Sequence, residues 1–294
     1  MASLKEIQRK IGSVKNTQKT TRAMKLVSSA KLNRTKELAE QSKVYAAKIT
    51  EMIQEIAGNI SKHGESLDNI YFKEMKNPKV VDIVFITADK GLCGGFNSQT
   101  IKRVSQLLEE YEGKGVTVRL RAVGKKGISY FKFNKIEMLQ QIDDLSSAPT
   151  YQRAAEFIND AVEDYIQGKT DKVLLIHNGY VNMITQEVYE EQAVPVDANA
   201  VTNNSASMSE LELEPDDDDT LLEALVRRYL EYVMYYALVD SLAAEHSARM
   251  QAMEAATNNA KDMVDALSIK YNKARQEAIT TELIEIISGV ESMK

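Results

Sequence analysis

The chain lacks tryptophan and has one cysteine (Cys93), three histidines, four prolines and thirteen glycines in 294 residues. Each shortage excludes something. A single cysteine leaves no internal disulfide, and with His63, His177 and His246 far apart no Cys/His zinc spacing exists, so a metal would have to be held by carboxylates alone. Proline and glycine fall well below their ordinary usage of roughly 5% and 7%, so helix breakers are scarce and a helix-rich chain is expected. No run approaches the roughly 18 apolar residues of a membrane span, and Met1-Ala2-Ser3-Leu4-Lys5-Glu6 lacks the apolar core of a signal peptide. These absences read as a soluble protein of a reducing compartment, long enough for about two domains.

What is present is unevenly placed. Residues 1–36 hold ten lysines and arginines against the single acid Glu6. Since the whole chain carries −6, the remaining 258 residues carry −15. The densest acidic stretch, Glu210 to Asp219, has seven acids in ten positions. The four prolines (Pro78, Pro149, Pro195, Pro215) all lie in the middle, leaving the first 77 and last 79 residues free of them. A proline inside a helix costs about 3 kcal/mol, so this distribution predicts two long helical arms around an inserted domain.

The first arm opens on Ser3 and Glu6 in capping-box spacing, followed by Ile7, Ile11 and Val14 on one helical face. Further on, Leu38, Ser42, Tyr45, Ile49, Met52 and Ile56 step four-three like a coiled-coil seam, until Gly58-Asn59 offers a stop. Between them the polar, threonine-rich Lys15 to Thr21 interrupts the pattern and reads as a contact region. The last arm repeats the capping box at Thr220 and Glu223, after acids that suit a helix N-terminus. From Leu225 a four-three seam of seventeen positions runs through Tyr229, Tyr232, Tyr236 and Met250 to Thr281, apolar at all but His246, Thr257 and Thr281. That predicts a helix of roughly 85 Å, with many alanines for close approach and Gly289 as a C-cap.

The middle alternates buried-strand and helix patterns: strands at Val80–Thr87, Val116–Val123, Ile136–Ile142 and Lys172–His177, helices at Phe96–Tyr111, Lys125–Phe131 and Tyr151–Ile166. A last strand, Thr185–Val196, follows without a helix and is expected antiparallel at an edge. The fold class is therefore α/β with long helical arms, an antiparallel coiled coil plus a Rossmann-like, mainly parallel insert. The expected divisions are a helical arm at 1–60, a linker at 61–78, the α/β domain at 79–196, a second linker at 197–215 around Asn203 to Ser207, and the closing arm at 216–294.

Candidate chemistry is sparse. Asp89-Lys90-Gly91-Leu92-Cys93-Gly94-Gly95 could cradle phosphate on backbone N–H groups, but fits neither the P-loop nor the dinucleotide spacing and reads as a tight strand-to-helix turn. Cys93 has no base in any local pattern, and Asp216 to Asp219 lacks the interleaving of a calcium loop. The basic first arm could track nucleic acid, yet no aromatic precedes Tyr45 to stack on bases. Composition and period leave open a nucleotide-dependent α/β enzyme with coiled-coil arms and a salt-sensitive nucleic-acid binder.

The run from Ile11 to Met24 (IGSVKNTQKTTRAM) resembles the gamma-subunit family of F-type ATP synthases. So do Lys90 to Asn97 (KGLCGGFN), Ala248 to Met253 (ARMQAM), Tyr271 to Gln276 (YNKARQ) and Ile279 to Ile286 (ITTELIEI). The likeness covers nearly the whole chain in order; Val290 departs from the family's usual alanine. The resemblance implies a non-catalytic central-stalk rotor of a proton-translocating enzyme, without cofactor or metal. It would be held once per complex inside an alpha3-beta3 hexamer, with its α/β domain against epsilon and the membrane c-ring. No nucleic-acid partner is implied. The absence of a transit peptide and of a chloroplast-type cysteine pair implies a bacterial enzyme, peripheral on the cytoplasmic face of the cell membrane. Residue by residue, Met24 and Lys25 match the family's contact with an acidic loop of beta, Arg249 its coupling region, and Arg275, Gln276, Thr280 and Glu282 its contacts near the top of the shaft.

Overall fold

The computed structural model describes residues 4–62, 70–73, 75, 77–196 and 218–291. The Ser3 cap, the stretch from Asn203 to Ser207 and the acids from Glu210 to Asp217 lie outside the described residues. In chain order the elements are α1 (Leu4–Lys62), β1 (Val80–Ile86), α2 (Phe96–Glu112), β2 (Thr117–Val123), α3 (Lys125–Phe133), β3 (Met138–Ile142), α4 (Tyr151–Ile166), β4 (Lys172–Tyr180), β5 (Gln186–Val194) and α5 (Asp218–Glu291). By compactness the chain divides into Met1–Ser28 with Arg249–Lys294, and Ser29–Ala248.

In the Ser29–Ala248 unit a five-stranded sheet has the order β3-β2-β1-β4-β5. The first four strands are parallel and β5 runs antiparallel to β4 at the edge. β1 is buried along nearly its whole length because helices cover both faces, which is why it reads as a continuous apolar run rather than an alternating one. On one face Ile83 and Phe85 pack with Val104, Leu107 and Phe131 of α2 and α3. On the other, Val84 and Ile86 join Phe157 of α4, Val226 and Leu230 of α5, and Ile49 of α1. The stretch expected as a first linker contains a packed 3₁₀ turn, Ile70–Phe72. Its Tyr71 is 2% exposed in that core, and the Tyr71 carbonyl accepts a 2.7 Å bond from Val196 N–H.

Two features fix the sheet locally. Gly124 sits at φ 96 between β2 and α3, where a Cβ would run into the Thr87 carbonyl, so only glycine lets the chain turn there. Behind β1 and β2, Asp82 is fully buried and accepts from Arg119 Nε at 2.6 Å and Arg121 Nε at 2.8 Å. Asp164 of α4 closes the cluster, receiving Arg121 Nη2 at 2.5 Å and Lys169 Nζ at 3.2 Å. Burial pushes the Asp164 carboxyl up, but the Lys169 hydrogen bond and the Arg121 and Arg119 guanidiniums together hold it below its ordinary 3.8.

In the other unit, the buried and half-buried face of α1 runs through Ile7, Ile11, Val14, Gln18, Thr21, Lys25 and Ser28, with Leu4 and Met24 half-buried beside it. The four-three spacing thus continues through the polar stretch that looked like an interruption. On α5 the corresponding face is Met250, Met253, Thr257, Ala260, Val264, Leu267, Tyr271, Ala274 and Ala278, the predicted seam, whose last position, Thr281, is exposed. The helices run antiparallel, with Thr21 opposite Thr257 and Lys25 opposite Glu254.

Four predicted details differ. α1 continues past Gly58-Asn59 to Lys62, since one helical glycine costs only about 1 kcal/mol. α5 is already helical at Asp218, so Thr220 lies inside its first turn rather than at its cap. The helix also passes through Gly289. In the Ser29–Ala248 unit the buried face of α1 is Leu32, Thr35, Ser42 and Ile49, while Leu38 and Tyr45 are 42% and 46% exposed.

Replacing Asp82 with Ala leaves Arg121 only the half-buried Asp164 as a carboxylate partner, and removing one partner of a buried pair costs about 3 kcal/mol. The expected outcome is faster amide hydrogen exchange throughout β1 and β2. Because the Asp164 value is depressed, its contribution is complete above 3.8 and is lost as pH falls below it, so the protection of the same amides relative to their intrinsic exchange should fall in acid. That acid dependence should shrink in Asp164→Asn.

Candidate functional site

All seven residues picked out by resemblance fall in one unit, Met1–Ser28 with Arg249–Lys294. Met24 is half-buried, Arg249 is 8% exposed, and Arg275, Gln276, Thr280 and Glu282 are exposed on α5. Lys25 is engaged within the chain, its Nζ 2.7 Å from Glu254 Oε1. Beside this pair lies a groove of about 540 Å³ whose lining includes Lys19, Arg22, Lys25 and Lys261 against one carboxylate, Glu254. The groove is cationic, as the charge segregation in the sequence implied. Its floor includes Thr257, whose hydroxyl is 2.7 Å from that of Thr21. One donates to the other, and the remaining hydroxyl hydrogen goes to a carbonyl of its own helix, so two polar side chains sit in the seam without an unpaired group. Thr280 likewise donates to Gln276 O at 2.9 Å.

The other place where a function would be sought is the carboxyl end of the parallel strands in the Ser29–Ala248 unit. Strand order reverses between β1 and β4, and in open α/β sheets ligands bind in the crevice at such a reversal. Here that crevice holds α5. Ala244 and Ala248 pack on Ala88, Cys93 and Phe96, so the glycine-rich loop after β1 closes over a helix. The loop is fixed by its own bonds. Asn97 Oδ1 accepts from Ala88 N–H at 2.8 Å, and Asn97 Nδ2 points at Cys93 Sγ at 3.2 Å. Leu92 is held at φ 63, a conformation costing a non-glycine residue roughly 1–2 kcal/mol, with its side chain 65% exposed. Cys93 is 2% exposed, which suits a packing residue better than a nucleophile.

Sequence reasoning missed the residues that hold α5 in this position. Asp240, 6% exposed, accepts from Tyr180 N–H on Oδ1 at 3.2 Å and faces His177 Nε2 on Oδ2 at 3.3 Å. Two turns further on, the Ser247 hydroxyl donates to Met183 O at 3.1 Å and receives Gln186 Nε2 at 3.2 Å. The available signal was a lone acid inside the apolar run from Ala237 to Ala244. Nearer the start of α5, Tyr151 of α4 donates to Glu231 and receives Arg228 Nη1 at 2.7 Å, its ring between Tyr232 and Tyr235. Burial first, then the Glu231 acceptor, push the Tyr151 hydroxyl up to about 12, so it remains a donor at neutral pH. Tyr45 of α1 stacks on Tyr232 at 4.1 Å between centroids. Among the described residues no three His, Cys, Asp or Glu side chains converge as a metal site.

The family described as ATP synthase matches residues 3–293. The ATP synthase gamma chain of a Sulfurovum species is 68% identical over the full length of both chains, and that of a Nitratiruptor species 60%, again over the full length of both. Among solved structures, the central stalk and c-ring structure of the Tetrahymena thermophila mitochondrial ATP synthase contains a similar chain at 25% identity and TM-score 0.60, covering 81% of this chain and 99% of that one. A chain of the Euglena gracilis mitochondrial ATP synthase shares the fold at 18% identity and TM-score 0.68, covering 99% and 94%.

The filled crevice gives a direct test. Ala244→Leu adds three carbons where Ala88, Cys93 and Phe96 leave no room, an overpacking that costs about 1–3 kcal/mol. The expected readout is faster labelling of Cys93 by a thiol reagent, and unchanged labelling would show that the helix does not fill the crevice.

Proposed function

The chain belongs to the family of ATP synthase gamma chains, non-catalytic subunits of that complex, and we propose that it works as the rotor inside an alpha3-beta3 hexamer. The observation that carries this reading is the end of α5. Ile279, Leu283, Ile284, Ile286, Ile287 and Val290 are between 49% and 63% exposed. Six large apolar side chains in one helix end are costly in water at about 25 cal/mol per Å², so this surface calls for a covering partner. A sleeve of hexamer subunits provides one. Arg275, Gln276, Thr280 and Glu282 lie among these residues and supply the polar contacts to that sleeve.

Lower on the helical pair, the cationic groove beside Lys25 suits acidic loops of the beta subunits, with Met24 and Arg249 in the same coupling region. The α/β domain meets epsilon and the c-ring. Proton flow turns ring and shaft together, and because α1 and α5 present different side chains around the axis, each beta subunit meets a different face in turn. Catalysis belongs to the beta subunits. One copy serves each complex, since a single asymmetric shaft fills the hexamer's centre. The protein lies peripherally on the cytoplasmic face of a bacterial membrane, and no described helix is long and apolar enough to cross a bilayer.

Affinity capture of the tagged chain from detergent-solubilised membranes should bring down the hexamer with ATPase activity while the purified chain is inert. Nucleotide hydrolysis by the chain alone would overturn the reading. Met24→Lys places a second cation beside Lys25, which pairs with an acidic beta loop at each step and impedes rotation. Proton pumping per ATP hydrolysed should fall in membranes carrying the variant, and a normal ratio would exclude this role for Met24.

A further inference from the structure

Hydrophobic burial resists separation but has no direction, so it does little to stop a smooth helix from turning or sliding in its groove. Where α5 crosses the carboxyl end of the sheet its face is smooth, because Ala237, Ala243, Ala244 and Ala248 are buried there and present only methyl groups, while Val226, Leu230, Met234 and Leu238 fill the apolar core beside them. A helix held this way needs directional contacts to keep its register under load. Besides the bond from Tyr151 of α4 to Glu231, two polar pins to the sheet supply them. Asp240 takes Tyr180 N–H on one oxygen and faces His177 Nε2 with the other, and Ser247 donates to Met183 O while accepting from Gln186. All four partners belong to β4, β5 or the turn joining them. Backbone groups provide two of the contacts, so the pins hold the sheet itself rather than flexible side chains. Gly179 shows how closely the parts are fitted, because a Cβ there would strike the Asp240 carboxylate and the Tyr189 ring.

We propose that Asp240 and Ser247 are the positioning residues through which torque passes between the α/β domain and α5. The proposal rests on the rotor reading above. It requires that the joint matter in proportion to load: with no opposing gradient the apolar seat alone holds register, and under load it slips. A residue needed only for folding would lower assembly or activity at every load alike.

The test uses the assembled membrane-bound complex carrying Asp240→Ala, Ser247→Ala or Gly179→Ala, beside wild type and the conservative Asp240→Asn. Proton pumping per ATP hydrolysed is measured against opposing proton gradients of increasing size. The expected result is wild-type coupling without a gradient and a several-fold loss at high gradient for Asp240→Ala and Gly179→Ala, a smaller loss for Ser247→Ala, and recovery of most coupling in Asp240→Asn, which keeps an acceptor for Tyr180 N–H. Coupling equal to wild type at every gradient overturns the joint while leaving the rotor reading intact. A wild-type complex that hydrolyses ATP without turning this chain refutes the rotor reading itself. Should Asp240→Ala fail to assemble, the milder Ser247→Ala decides by the same criterion.

Discussion

The seating of α5 on the sheet is the constraint from which the rest of the Ser29–Ala248 unit follows. Over residues 226–248 this helix must be apolar on two sides at once. Val226, Leu230, Met234, Ala237 and Ala244 are buried as one stripe, while Tyr229, Tyr232 and Tyr236 form a second, half-buried stripe on the side where Tyr45 stacks. A helix apolar nearly all round is stable only when surrounded, and here the surroundings are the sheet, α4 and α1. The polar groups enclosed with it must then be satisfied by one another, and Asp240, Ser247, Tyr151 and Glu231 each find a partner from a strand, a turn or a neighbouring helix.

The same seating takes up the place where an architecture of this kind would receive a nucleotide. The strand order produces a crevice where such folds place ligands, and a glycine-rich loop stands beside it. With Ala244 and Ala248 in that space, the loop's small residues serve close helix packing instead of phosphate approach. A fold built to hold a ligand holds the shaft's own helix, and the domain becomes a mount.

Much of this was legible in the residues, for reasons that differ by element. The strands and helices between Val80 and Val194 were readable because their periods and breakers agree, down to the antiparallel edge strand that no helix precedes. The α5 seam from Met250 to Ala278 was readable because Met, Val, Leu and Ala recur at heptad spacing. The seam of α1 was not, because Gln18, Thr21, Lys25 and Ser28 occupy it, and polarity there looks like an interruption when the partner's hydroxyl is unseen. Around Leu38 and Tyr45 the more apolar side chains pointed to the wrong face, since the seam there runs through Thr35, Ala39 and Ser42. The Asp240 joint was invisible because His177 and Asp240 lie 63 residues apart and belong to no motif.

The chemistry of the α1 and α5 seam bears on how a shaft can be both defined and yielding. A polar pair in a coiled-coil seam fixes register at some loss of stability, because it is satisfied in only one alignment and contributes less than buried aliphatics. Thr21 against Thr257 and Lys25 against Glu254 have that character, the second being half-exposed and so worth little by itself. Helices joined this way keep their alignment without binding each other tightly. Beyond that seam cohesion has to come from outside, and the bare isoleucines and leucine at the end of α5 are where an enclosing partner would supply it. A pair aligned from within and confined from without keeps one register while its outer surface stays available to the partner that encloses it.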